Sequence, residues 1–107
     1  MHQITPVELA EWLADPAKVQ PLLLDVREPW EFQLCHIEGS TPMPMGAVPA
    51  RIAELDPERV TVVVCHHGGR SAQVGMFLER QGFGKVINLA GGVAEWAARV
   101  DPKMPHY

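Results

Sequence analysis

The residues best suited to do chemistry form one short run, Cys65-His66-His67-Gly68-Gly69-Arg70-Ser71. This run directly follows the apolar stretch 60–64 and leads into residues 71–80, whose pattern is helical. A thiol is a nucleophile, and glycines before a helix start let backbone N–H groups and the positive helix end converge on an anion. The spacing therefore predicts a reactive Cys65 inside an anion-binding loop.

A free cysteine is mostly uncharged at pH 7, so a nucleophilic thiol needs help from its surroundings. One positive charge such as Arg70, at about 6 Å and an effective dielectric of about 20, stabilises a thiolate by roughly 3 kcal/mol. The helix terminus adds roughly 0.5 to 2 kcal/mol. We therefore predict Cys65 as the catalytic residue, in an anion-binding loop that comprises His66, His67, Gly68, Gly69, Arg70 and Ser71.

Two other interpretations of this loop are a buried core thiol beside an ordinary glycine turn and a metal site. The glycines, arginine and serine that follow Cys65 argue against a buried core thiol beside an ordinary turn. Cys65, His66 and His67 are zinc-ligand types, as are Cys35 and His36. Adjacent residues rarely converge on one ion, however, and no Cys-x-x-Cys or His-x-x-x-His spacing is present. No metal site is predicted.

Length and composition predict one globular domain spanning residues 1–107. The net charge of -4 and the scattered basic residues argue against a nucleic-acid or anionic-membrane surface. No apolar run approaches the roughly 20 residues of a membrane span, and no basic region with an apolar segment begins the chain. With only two cysteines, these features predict free thiols and a cytoplasmic protein without membrane or nucleic-acid partners.

The pattern along the chain predicts alternating helices and strands. Helices are expected at 6–14, 29–34, 48–55 and 71–80, and a last helix is expected after Gly91-Gly92, ending at about Arg99. Strands are expected at 22–26, 59–64 and 86–89, and extended backbone at 40–45. The alternation predicts an α/β fold, a mainly parallel central sheet with helices on both faces, and a ligand site at the carboxyl ends of the strands. Trp30 and Trp96 are expected in the core, and residues 101–107 are expected to be loosely attached.

Four segments in order resemble the signatures of the rhodanese family, the thiosulfate sulfurtransferases and their single-domain relatives. They cover nearly the whole chain, from Leu22 to Trp96. They are Leu22-Leu23-Leu24-Asp25-Val26-Arg27-Glu28 with Glu31-Phe32, His36-Ile37-Glu38-Gly39-Ser40, Val62-Val63-Val64-Cys65 with Gly68, Arg70 and Ser71, and Leu89-Ala90-Gly91-Gly92-Val93 with Trp96. Two departures are Cys35 in place of the usual glycine and Thr41-Pro42-Met43 in place of an alanine-aliphatic stretch.

The resemblance implies a rhodanese-like fold and a sulfurtransferase that needs no cofactor. Cys65 would take the sulfane sulfur of thiosulfate or a similar donor as a persulfide and pass it to cyanide, a small thiol or a protein thiol. The substrate-binding residues would be His66, His67, Gly68, Gly69, Arg70 and Ser71. Arg70 would hold the sulfonate end of the donor, and His66 and His67 would shape the entrance.

The charged and thiol residues outside the loop have ordinary structural interpretations. Asp25, Arg27 and Glu31 are expected to pair with each other, and His36 is expected to form a structural hydrogen bond. Cys35 is expected to fill a tight position; a role as a resolving thiol is the alternative.

Cysteine phosphatases and arsenate reductases are the nearest alternatives, because they also place a thiolate in an anion loop and some phosphatases share the fold. Their signature has five residues between cysteine and arginine, whereas this chain has four, from His66 to Gly69. The shorter loop favours a single sulfur atom over a tetrahedral phosphate. A non-catalytic interaction module with the same fold is the third alternative, although such a module has no need of Cys65.

Overall fold

The computed structural model describes all residues from Met1 to Tyr107 and is built on one five-stranded sheet. Its strand order is β1-β5-β4-β2-β3, and all neighbouring strands run parallel. The strands are β1 (His2–Ile4), β2 (Leu22–Asp25), β3 (Thr41–Pro42), β4 (Thr61–Val64) and β5 (Val86–Leu89). The helices are α1 (Pro6–Ala14), α2 (Pro29–Leu34), α3 (Val48–Arg51), α4 (Gly69–Arg80) and α5 (Gly92–Arg99).

Side chains of the central strand β4 alternate between two apolar clusters. Val62 and Val64 pack in a cluster that includes residues of α1 and α5. Val63 and Cys65 belong to the other cluster, which includes residues of α3 and α4. This alternation follows from the period of two in a strand, and it buries β4 on both faces. The predicted parallel sheet with helices on both faces is therefore confirmed.

The start of α4 differs from the predicted one and brings the helix closer to Cys65. The helix begins at Gly69 rather than Ser71, after Gly68 in a left-handed conformation with φ of 102°. Only glycine adopts this conformation readily, so Gly68 allows a sharp turn from the end of β4 into the helix. The first turn of α4 consequently lies against the thiol.

Several local predictions were wrong. Strand β1 was missed because its three residues are too short to show a period, and the predicted helix at 48–55 stops at Arg51 and continues as a 3-10 turn over Ile52–Glu54. Trp30 is 61% exposed rather than buried, whereas Trp96 lies in the core as predicted. The segment 101–107 is not loose, because Met104 is buried in the cluster with α5. None of the helices combines the length and apolar character that crossing a membrane requires.

Helix α5 packs so closely on the loop after β4 that its first residue has to be glycine. Gly92 has φ of 59°, and a Cβ atom there would overlap the carbonyl oxygens of Cys65 and His66. Both the left-handed conformation and the overlap penalise any side chain at this position.

We predict that Gly92→Ala lowers the free energy of unfolding by about 2 kcal/mol or more, because the added methyl group displaces either the helix or the loop. Gly84→Ala is the matched control, since that glycine is exposed and nothing lies within 4 Å of the added atom. Urea denaturation of both variants checks this. Equal stability of Gly92→Ala and the parent chain would contradict the packing argument.

Candidate active site around Cys65

The thiol of Cys65 lies at the carboxyl end of the central strand and is held by the start of α4. Its side chain is 1% exposed. The backbone N–H groups of Gly68 and Ser71 donate to its Sγ atom, at 3.1 and 3.3 Å, and Sγ lies 3.2 Å from the hydroxyl of Ser71. Amide donors and the positive end of α4 thus converge on one sulfur atom.

A buried amide that sequence reasoning missed positions the loop from the neighbouring strand. Asn88 of β5 is 3% exposed, and its Oδ1 accepts a hydrogen bond from the hydroxyl of Ser71. Its Nδ2 donates to the carbonyl of Gly68 at 3.2 Å and to Gln3 Oε1 at 3.0 Å. Asn88 therefore fixes both residues that donate to the sulfur. The available signal was a single amide side chain inside the apolar run 86–89.

The loop backbone is also fixed from its other side by α5. The N–H of Val93 donates to the carbonyl of Cys65 at 2.9 Å, and the N–H of Ala94 donates to the carbonyl of His66 at 3.0 Å. These donors belong to the first turn of α5, which has no partners for them within the helix. Two helix N-termini therefore meet at the loop, one at the sulfur and the other at the backbone carbonyls.

Arg70 binds a carboxylate instead of turning freely toward the thiol. Its two Nη atoms donate to the two carboxylate oxygens of Glu31, at 2.7 and 2.9 Å. These bonds lower the pKa of Glu31 to about 2, although burial raises it. The carboxylate therefore stays ionised at neutral pH, and its contribution to stability, present above pH 4.5, is lost only as the pH falls toward 2. Its main partner is Arg70, so the expected pairing of Glu31 with Asp25 or Arg27 was wrong.

The second ion pair, between Arg27 and Asp25, is completely buried. Arg27 Nη2 donates to Asp25 Oδ2 at 2.7 Å and to the carbonyl of Cys35 at 2.7 Å. This part of the predicted charge pairing is confirmed. Cys35 belongs to the cluster with Val62 and Val64, on the opposite face of the sheet from Cys65. That separation favours the structural interpretation of Cys35 over a resolving thiol.

Tyr107 connects the two ion pairs, and sequence reasoning gave it no role. Its hydroxyl accepts a hydrogen bond from Arg27 Nη1 at 2.9 Å and donates one to Glu31 Oε2 at 2.7 Å. Burial raises its pKa to about 12; the bond from Arg27 opposes this rise and the bond to Glu31 supports it. The phenol is therefore neutral and able to donate.

The two loop histidines form a stack with Tyr107. We refer to the side chains of His66, His67, Arg70 and Tyr107 as the rim of the loop. The ring of His66 lies parallel to that of Tyr107, with centroids 3.8 Å apart, and 3.9 Å from the ring of His67. Burial lowers the pKa of His66 and the neighbouring His67 lowers it further, so His66 is neutral at pH 7. A cavity of about 70 Å³ separates these histidines from α5 and residues 105–107, and Cys65 does not line it.

His36 does not belong to this group of histidines. Its Nδ1 lies 2.7 Å from the carbonyl oxygen of Phe32.

The predicted site residues therefore fall into two groups. Gly68 and Ser71 meet Cys65 at the sulfur, whereas His66, His67 and Arg70 line the rim. The backbone N–H of Gly69, like that of Arg70, has no acceptor within the protein, because it lies in the first turn of α4. The arrangement can hold a sulfur atom and a second, anionic atom next to it.

We predict that Asn88→Ala lowers the free energy of unfolding by about 1 to 3 kcal/mol, because the carbonyl of Gly68 and the hydroxyl of Ser71 lose a buried partner. Gln3→Ala is the control: it removes the exposed acceptor from the same amide, and Asn88 keeps both bonds to the loop. Its expected effect is below about 0.5 kcal/mol. Chemical denaturation distinguishes them, and similar losses in both variants would refute the role given to Asn88.

Comparison with known proteins agrees with this geometry. A family model described as Rhodanese-like domain matches residues 5–99. A protein named Sulfurtransferase from Allochromatium vinosum is 37% identical over 97 residues, which cover 91% of this chain and 89% of the relative. Thiosulfate sulfurtransferase GlpE from Pseudomonas fluorescens is 36% identical, covering 85% of this chain and 81% of the relative.

Solved structures and longer relatives extend the comparison. The crystal structure of a Rhodanese-like domain protein from Staphylococcus aureus superposes with a TM-score of 0.83 at 29% identity, covering 90% of this chain and 91% of the other. The chain spans only 26% to 35% of the length of several curated relatives. With the family model covering most of the sequence, the four signatures and the parallel sheet have one explanation: the chain belongs to the rhodanese-like family.

Proposed function

We propose that residues 1–107 form one domain that acts as a sulfurtransferase, with Cys65 carrying the transferred sulfur as a persulfide. The observation that carries this proposal is the cradle at Sγ, where two backbone N–H groups already donate to the sulfur. The unpartnered N–H groups of Gly69 and Arg70 lie next in the same turn, and they suit an additional sulfur atom bound to the first. The relatives named sulfurtransferase support the same activity.

The first half-reaction uses thiosulfate or a similar sulfane-sulfur donor. The thiolate of Cys65 attacks the outer sulfur of thiosulfate, an S–S bond forms, and the S–S bond of the donor breaks. Sulfite leaves with the electron pair, so no separate acid is needed. The charge left on the outer sulfur of the persulfide is stabilised by the N–H groups of the loop.

The second half-reaction returns the enzyme to its starting state. A thiophilic acceptor, cyanide or a thiol, attacks the outer sulfur of the persulfide, and the electron pair of the breaking bond returns to Cys65 as thiolate. Cyanide leaves as thiocyanate, and a thiol leaves as a persulfide. Donor and acceptor never need to be bound together, which makes the scheme ping-pong.

The position of Arg70 favours sulfur transfer over phosphate hydrolysis. A phosphatase needs its loop arginine to face a tetrahedral phosphate held beside the cysteine. Here two donor groups of Arg70 are occupied by the carboxylate of Glu31. Arg70 is only about one third exposed at its side chain, yet it keeps three further N–H donors that can reach the sulfonate of a donor at the rim.

We predict that exposure to thiosulfate adds one sulfur atom to the chain, that cyanide removes it, and that Cys65→Ser abolishes the gain. Intact mass spectrometry measures each state directly. Cys35→Ser is the matched control, because this second thiol lies on the other face of the sheet and is expected to leave the adduct unchanged. Absence of an adduct on the parent chain, together with turnover of an aryl phosphate, would instead favour the phosphatase alternative.

We further predict that Arg70→Ala slows persulfide formation from thiosulfate by about tenfold or more and slows removal of the sulfur by cyanide much less. Only the first step brings a sulfonate group that a charge-assisted hydrogen bond can hold. Arg51→Ala is the control, since it removes an exposed arginine that pairs with Glu54. Single-turnover kinetics separate the steps, and equal slowing of both would rule out the proposed role in donor binding.

A further inference from the structure

Residues 101–107 lie across the rim of the loop and are attached to it at one point. Met104 is buried in the core, whereas Pro105 and His106 are exposed. Tyr107 then returns to the protein, where its ring stacks on His66 and its hydroxyl binds Arg27 and Glu31. The ring also meets that of Trp30 edge to face, with centroids 5.7 Å apart. Tyr107 is thus held on three sides, at the end of a segment without regular structure.

The loop itself has little freedom to open. The carbonyls of Cys65 and His66 are bound by α5, and the carbonyl of Gly68 is bound by Asn88. Because Cys65 is 1% exposed, a reagent larger than a few atoms needs some group at the rim to move aside. The side chains at the rim can move without breaking these backbone hydrogen bonds. Among these side chains, Tyr107 is the largest that does not belong to a helix, a strand or the loop.

Resting on the proposed function, we infer that Tyr107 is a specificity-determining residue that limits access to Cys65 to small donors and acceptors. In the closed position its ring, together with that of His66, narrows the approach to the sulfur. Small anions and small thiols then react without displacing it. A thiol carried on a bulky group reacts only when Tyr107 leaves Arg27 and Glu31.

The contacts of Tyr107 suit such a closure because the ring and the hydroxyl act separately. The hydroxyl holds the side chain to both ion pairs, and the ring provides the bulk beside His66. Tyr107→Phe therefore keeps the barrier but weakens its attachment, whereas Tyr107→Ala removes both. The ion pairs Asp25–Arg27 and Glu31–Arg70 keep their direct bonds in either variant.

The test compares two thiol-modifying reagents, iodoacetamide and fluorescein maleimide, with peptide mass mapping to assign the modified cysteine. Tyr107→Ala is expected to raise the rate constant of Cys65 with the bulky maleimide by about tenfold or more, and the rate constant with iodoacetamide by less than about threefold. Tyr107→Phe is expected to give an intermediate increase with the maleimide alone. His106→Ala, which changes the exposed neighbouring residue, is expected to change neither rate.

An equal increase of the Cys65 rate constant with both reagents would overturn the proposal, because it would mean that the whole loop had loosened. An unchanged rate constant with the maleimide would overturn it as well. Should Tyr107→Ala fail to fold, Tyr107→Phe decides by the same size comparison. The modification needs no sulfur donor, so its outcome is independent of whether thiosulfate forms a persulfide. In a chain that does transfer sulfur, Tyr107→Ala is expected to speed transfer to a protein thiol while transfer to cyanide stays nearly constant.

Discussion

The site depends on one constraint: Cys65 is buried where the chain leaves the sheet after Val64, so the polar groups packed around its side chain must find partners inside the protein. Helix α5 supplies donors for the carbonyls of Cys65 and His66, and Asn88 supplies one for Gly68. The N–H groups of Gly68 and Ser71 use the sulfur itself as their acceptor. No buried side-chain polar atom lacks a partner. The sulfur is therefore part of the loop's own hydrogen bonding.

This arrangement has a chemical consequence. A sulfur that already accepts two N–H bonds in the resting protein needs little reorganisation when negative charge develops on it. The donors are backbone groups, so their direction is set by the turn at Gly68 and by the start of α4, and no side-chain rotamer has to be selected. Because Cys65 is buried, the local dielectric is low and each of these hydrogen bonds to its sulfur is stronger than it would be in water.

The charged groups around the loop form a balanced set and do not leave a free cation beside the thiol. Arg27 is compensated by Asp25, and Arg70 is compensated by Glu31. The positive potential at the sulfur then comes mainly from the amides and the end of α4, and less from Arg70 than the sequence suggested. Compensation also explains how the guanidinium of Arg27 can be fully buried just after β2, since a buried charge is tolerated when it is paired and fully hydrogen-bonded.

The sequence predicted those parts of the fold and site that depend on neighbours in the chain. The apolar run before Cys65, the helical pattern after it and the glycines between them are local, and they placed the thiol at the end of a parallel strand. The missed contacts join residues that are distant in the sequence: Asn88 of β5 accepts a hydrogen bond from Ser71 of α4, and Tyr107 accepts one from Arg27. Trp30 was misjudged because large aromatic residues are usually buried, whereas the buried position in α2 belongs to Glu31.

The loop after β4 and the side chains around it determine different properties of the site. The signature residues after β4 fix where the sulfur lies and which groups face it, because α4, α5 and β5 hold that backbone from three directions. The signature residues do not determine how large a molecule can approach the sulfur of Cys65. That property depends on the rim, where a neutral His66, the paired Arg70 and Tyr107 are joined by stacking and hydrogen bonds rather than by regular structure. Because these contacts can break without unfolding the loop, substrate range can change at the rim while the chemistry at Cys65 stays the same.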